Sequence, residues 1–140
     1  MKVLTKRALT AAVAGGLIAV GVAAPVFAEG SRTSYMSNWI DGDASSNWSD
    51  SNSDSTNTHV TFDDCTREFT ATIRRTVPFA VDPSVGSEYI NCRSYVDAVY
   101  AGDLSAANYH FDVTGMGIAY CVSGSCVYNR TSVNSLHIYW

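Results

Sequence analysis

Beyond residue 28, apolar and polar residues alternate with a period of two, and no stretch keeps apolar residues at helical spacing for more than about two turns. The pattern predicts an all-β domain. A first strand runs near Thr33 to Ile40 with Tyr35 and Trp39 on one side; a second, from about Thr58 to Asp63, turns Val60 and Phe62 inward; Phe69, Ala71 and Ile73 mark a third. Pro78 and Pro83 then interrupt the alternation, and a short segment at Glu88 to Cys92 follows. Tyr95 to Tyr100 fits either a strand or one helical turn, with the strand as the expectation. Tyr109 to Val113 alternates strictly, aromatic and aliphatic residues in, His110 and Asp112 out. Ile118 to Val122, a Ser-Gly-Ser turn and Cys126 to Tyr128 come next, and a closing strand sets Leu136, Ile138 and Trp140 on one face. Strands this short, spaced by polar turns, favour a two-sheet sandwich over a single open sheet.

One segment breaks the rhythm. Asp41 to Thr58 reads DGDASSNWSDSNSDSTNT, longer than most connections in a compact domain. Asp, Ser, Asn and Thr bond their own backbone in tight turns, which explains a turn-rich connection. Trp48 is the anomaly, because a large ring in a polar loop either docks on the domain or offers itself to a partner. On the second alternative, Trp48, Asp50 and Asp54 form the candidate ligand-binding set: the ring supplies apolar area, and the carboxylates accept hydrogen bonds.

The first 28 residues are of another kind. Lys2, Lys6 and Arg7 precede an apolar run from Ala8 to Ala24, and Val26-Phe27-Ala28 places small residues at both recognition positions before Glu29. This predicts a secretory signal peptide over residues 1–28 and a single domain over 29–140, hence a secreted, extracellular protein. The run is too short for a membrane span, for which about 20 residues are needed. Downstream of it there is no lysine, and six arginines face thirteen carboxylates, a net charge of −7 that argues against binding nucleic acid or anionic membranes.

All four cysteines, Cys65, Cys92, Cys121 and Cys126, also lie downstream, where an even count in an oxidising compartment reads as disulfides. Three pairings are possible. The four residues between Cys121 and Cys126 make a tight turn, so that pair staples a hairpin and leaves Cys65 for Cys92.

Catalytic signatures are missing from residues 29–140: there is no nucleophile elbow, phosphate loop, dinucleotide fingerprint or zinc-protease motif. Asp63 and Asp64 are adjacent, so on a strand they point to opposite faces and read as a strand end rather than a glycosidase pair. Asp41, Asp43, Asp50 and Asp54 could converge on calcium, but counting from Asp41 the positions that would need Gly and Glu hold Ser46 and Asn52. His59, His110 and His137 sit on three different strands and read as separate surface residues. The expectation is therefore no metal site and no cofactor. Most tyrosines and tryptophans read as core, with Trp48, Tyr128 and Tyr139 as candidates for exposure.

Leu104, followed five residues later by Tyr109, resembles the tyrosine corner of immunoglobulin-like and fibronectin-like sandwiches, in which the phenol bonds a backbone group. Together, SRTSYMSNWID, HVTFDDC, FTATIRR, NYHFDV and SVNSLHIYW resemble the small secreted β-sandwich proteins of actinobacteria. The acidic charge and the Cys121–Cys126 hairpin are similar, more loosely, to the apoproteins of enediyne antibiotics. These resemblances imply an immunoglobulin-like two-sheet sandwich with two disulfides, and they carry over no functional residue. The expected function is a non-catalytic binding or interaction module for an extracellular ligand, a cell-wall glycan or a protein. The alternative is a secreted inhibitor or bacteriocin-like toxin acting on another organism, with an enzyme in third place.

Overall fold

A computed structural model describes residues 30–93 and 96–140. The predicted signal segment and Tyr95 lie outside the described residues. Ten strands are present among the described residues: β1 Ser31–Trp39, β2 Trp48–Asp50, β3 Thr58–Cys65, β4 Phe69–Arg75, β5 Ser84–Ile90, β6 Val96–Gly102, β7 Ala107–Thr114, β8 Ile118–Val122, β9 Ser125–Tyr128 and β10 Thr131–Tyr139. They form two four-stranded sheets, ordered β1-β10-β3-β6 and β2-β7-β4-β5, and a separate two-stranded hairpin, β8-β9. All neighbouring strands within the sheets run antiparallel. The all-β two-sheet sandwich expected from the alternation is the observed fold, with both predicted disulfides, Cys65–Cys92 and Cys121–Cys126.

The core lies between the two four-stranded sheets. Val60 and Phe62 face it from β3, Val99 from β6, Leu136 and Ile138 from β10; Ala71 and Ile73 from β4, Ile90 from β5 and Phe111 and Val113 from β7 close it on the other side. Phe62 meets Phe69 and Phe111 edge-on, with ring centroids 5.2 and 5.5 Å apart. That edge-to-face geometry aligns the positive rim of one ring with the negative face of the next. In antibody domains the residue two places after the corner tyrosine is a cysteine bridging the sheets. Here that place belongs to Phe111, so an aromatic contact with Phe62 spans the layers instead.

The corner itself is formed: the Tyr109 hydroxyl donates to the backbone carbonyl of Ser105, and Leu104 is buried beside it. The strand order departs from the immunoglobulin arrangement, most plainly at the closing strand. The closing strand β10 lies between β1 and β3, whereas in immunoglobulin domains the last strand joins the other sheet. Gly86 lets the edge strand β5 pass close to β6, because a Cβ there would collide with the Tyr100 carbonyl. Cys65, at the end of β3, is bonded to Cys92, in the crossover from β5 to β6, so the longer disulfide ties the two sheets together.

Three expectations need correction. Tyr35 and Trp39 do not share a side: Met36 is the inward residue of β1, Tyr35 is exposed, and register shifts on either side of Met36, with Asn38 at φ 57°, turn Trp39 back against the core. The segment after Pro83 is not short, since β5 spans seven residues from Ser84. The stretch from Asp41 to Thr58 is not one free loop. Ala44 bridges Asp112 of β7, and Trp48–Asp50 is an edge strand paired with β7 through Trp48 to Tyr109.

Candidate interaction surface

Trp48, proposed from the sequence as a ligand anchor, is 4 % exposed and is wedged between Tyr109 and Trp140, at centroid distances of 6.4 and 6.3 Å. It docks on the sandwich, as an edge strand must when one of its faces meets a core. Asp50 is 6 % exposed; its carboxylate accepts from the Asn52 amide and from the Thr58 hydroxyl, anchoring the chain where it turns into β3. Asp54 accepts from the Thr56 amide, capping a local turn. The three side chains therefore do not assemble into a contact face.

The remaining aspartates of that segment also serve the backbone. Asp43 accepts from Ile40 N at 2.8 Å. Asp41 reaches 75 residues along the chain to take the amides of Met116 and Gly117 at 2.8 and 2.9 Å. Each carboxylate that could have served calcium thus faces a different partner. Of the histidines, His110 lies on the outer face of the β2-β7-β4-β5 sheet, where Nδ1 is 3.2 Å from the Thr76 hydroxyl and 3.8 Å from Asp82. Both partners approach the same ring nitrogen, whereas a proton relay needs one on each side of the ring. Asp112 pairs with Arg74 rather than with His110.

His59 and His137 belong to a ladder on the outer face of the other sheet. Tyr100, His59 and Tyr139 stand side by side across three strands, 5.3 and 4.6 Å apart and nearly parallel, with His137 6.2 Å beyond Tyr139. The first two separations follow the inter-strand spacing of about 4.8 Å, and the third the two-residue repeat along β10. Rings stacked in this way cover one another's faces and stabilise cross-strand pairs. Tyr139 and Tyr128 are exposed, as expected. Tyr89, on β5, has its phenol pKa raised, first by desolvation and then by the hydrogen bond and charge of Glu68.

A cleft of about 90 Å³ opens between β1 and the Ala44–Ser46 segment, rimmed by Arg32, Ser34 and Tyr35. Phe111, Leu136 and Ile138 at its floor are no more than 2 % exposed, and Trp39 and Tyr35 also line it.

The β8-β9 hairpin differs from all of these. Both strands are exposed along their whole length, and neither pairs with a sheet. Ile118, Tyr120, Val122, Val127 and Tyr128 are each 43 to 63 % exposed. The alternation puts Tyr120, Val122 and Val127 on one face, and the Cys121–Cys126 bridge crosses on the other. A type I′-like turn closes the tip, with Ser123 and Gly124 at φ 49° and 82°.

An isolated two-stranded hairpin is marginal in water, and two devices hold this one. The disulfide fixes its register near the tip. At its base Asp41 grips Met116 and Gly117, Asn129 bonds the Met116 carbonyl, and the Met116 side chain is buried in the core. From Gly115 to Asn129 there is no charged residue. Sequence reasoning placed this hairpin and its staple but not its exposure. The uncharged run was the available signal, since exposed ribbons normally carry charge against unwanted pairing.

The chain matches no family model, no curated protein and no solved structure.

Proposed function

We propose that this domain is a non-catalytic interaction module whose contact surface is the β8-β9 hairpin. One observation carries the reading: an uncharged, apolar ribbon, exposed along both strands and paired with neither four-stranded sheet, adjoins a sandwich that already has a closed core. Contiguous exposed apolar surface of this kind marks contact sites, and pre-organisation by a disulfide lowers the entropy lost on binding. Two disulfides suit an oxidising compartment, which fits the export reading of residues 1–28.

The test is photo-crosslinking with a benzophenone side chain placed at Tyr120 and, as a control, at Tyr35, an exposed tyrosine on β1, with the protein secreted by its own host. Crosslinked products from position 120 and none from position 35 are expected. Equal yields from both, or none from 120, would overturn the reading.

A further inference from the structure

The two disulfides differ in what governs exchange with a thiol. Cys65 and Cys92 are half-buried and packed against the core, where their bridge ties the two sheets. Cys121 and Cys126 are exposed, on a ribbon that is exposed along both strands. An attacking thiolate must reach a sulfur, so access favours the hairpin bridge. From Gly115 to Asn129 no carboxylate repels the incoming anion. The bridge also crosses the face opposite Tyr120, Val122 and Val127, so a partner held by those side chains leaves the sulfurs open. Linkage adds a thermodynamic reason. A bridge is harder to reduce by the same factor by which it stabilises the fold, because the cycle of folding and reduction must close. Cys65–Cys92 spans 27 residues and joins the sheets, whereas Cys121–Cys126 spans 5 in a hairpin that pairs with neither four-stranded sheet.

What the short bridge does hold is the outer half of the hairpin. The anchors at the base reach no further than Met116, Gly117 and Asn129. Beyond them Tyr120 pairs with Val127 and Val122 with Ser125, after an irregularity between Ile118 and Tyr120. Without its staple a two-stranded ribbon in water is marginal. Opening the bridge therefore frees Tyr120, Val122 and Val127 from their common face, and ordering them again becomes a cost that binding must meet.

We propose that Cys121–Cys126 is a thiol-exchange site, opened by small extracellular thiols, and that its opening switches off the contact surface of the hairpin. The switch rests on the hairpin being that contact surface; the exchange site does not. The thiolate of one reductant molecule bonds to the sulfur of Cys121 or Cys126, and the bond between the two cysteines breaks with its electron pair leaving on the other sulfur, which takes a proton from water. A second thiol then displaces the protein sulfur from the mixed disulfide. Two protein thiols and one small disulfide result, so two electrons enter the protein and two thiols are oxidised. Cys65–Cys92 stays closed throughout, and the sandwich keeps its fold.

The test equilibrates the whole protein in glutathione buffers of rising reduced-to-oxidised ratio, quenches with N-ethylmaleimide and maps the labelled peptides by mass spectrometry. Cys121 and Cys126 should be labelled at a ratio about tenfold or more below the one that labels Cys65 and Cys92. Hydrogen exchange at that lower ratio should show a loss of protection confined to β8 and β9, and crosslinking from the benzophenone at position 120 should fall about fivefold or more against the oxidised protein. Cys121→Ser/Cys126→Ser should show the low yield before any thiol is added and no further change with it. Labelling of all four cysteines together, or of Cys65 and Cys92 first, would overturn the exchange site. Hairpin amides that stay protected once Cys121 and Cys126 are labelled, or a crosslinking yield that persists, would overturn the switch. If the oxidised protein gives no crosslink from position 120, the contact reading falls and the switch with it, while labelling and hydrogen exchange still decide the exchange site.

Discussion

The sandwich and the hairpin are built from the same kind of sequence, alternating apolar and polar residues with aromatic emphasis, yet they are held by different forces. In the sandwich the alternate residues meet another layer: Phe62, Ile73, Phe111 and Ile138 are almost completely buried, and burying such a side chain is worth about 1.5 to 3 kcal/mol. In the hairpin the alternate residues Tyr120, Val122 and Val127 meet only solvent, and the structure relies on a covalent staple and an anchored base. Alternation therefore specifies a strand; whether its apolar face is core or contact surface depends on whether a second layer lies opposite.

Trp48→Ala removes a ring from between Tyr109 and Trp140 and should cost about 3 to 5 kcal/mol in a denaturant melt. A loss under about 1 kcal/mol would mean that the edge strand β2 is not part of the sandwich.

Removing the Cys65–Cys92 bridge as a double alanine variant should cost roughly 3 to 4 kcal/mol, since it closes a loop of 27 residues and ties the two sheets. Removing Cys121–Cys126 in the same way should leave the melt of the sandwich nearly unchanged while the amides of β8 and β9 lose protection from hydrogen exchange. If the short bridge proves the more stabilising, the division between body and arm is wrong.

A smaller effect, about 1 kcal/mol, is expected for Tyr109→Phe, which deletes the bond to the Ser105 carbonyl but keeps the ring in place. The smallest belongs to the hairpin face: Tyr120→Ser/Val122→Ser should shift stability by no more than about 0.5 kcal/mol per substitution, because these side chains are solvated in the folded state.

The sequence was most readable where one face of a strand is buried and the other wet. Val60 and Phe62, then Phe69, Ala71 and Ile73, then Tyr109 to Val113 all face as their alternation indicates. It was least readable where a bulge intervenes. The irregular stretch around Asn38 exchanges the roles of Tyr35 and Met36, and no period-two rule anticipates a local register shift. The edge strand β2 was hidden because only three residues pair and their neighbours are all turn formers. The disulfide partners were readable because five residues of separation suit a hairpin turn.

The environment of Trp48 was not readable from the sequence for a physical reason. A lone tryptophan in a polar segment stands out in one dimension, but in three dimensions it fills an edge; the ribbon from Ile118 to Tyr128 looks like ordinary core strand and stays outside.

Whether the hairpin is an arm rather than part of the scaffold is decided by the thermal melt of a chain in which residues 118–128 are replaced by a two-residue Asn-Gly turn. An arm outside the scaffold leaves a cooperative transition within about 3 °C of the wild type. Loss of the transition, or a fall of about 10 °C or more, would show that the hairpin supports the fold and would contradict the claim.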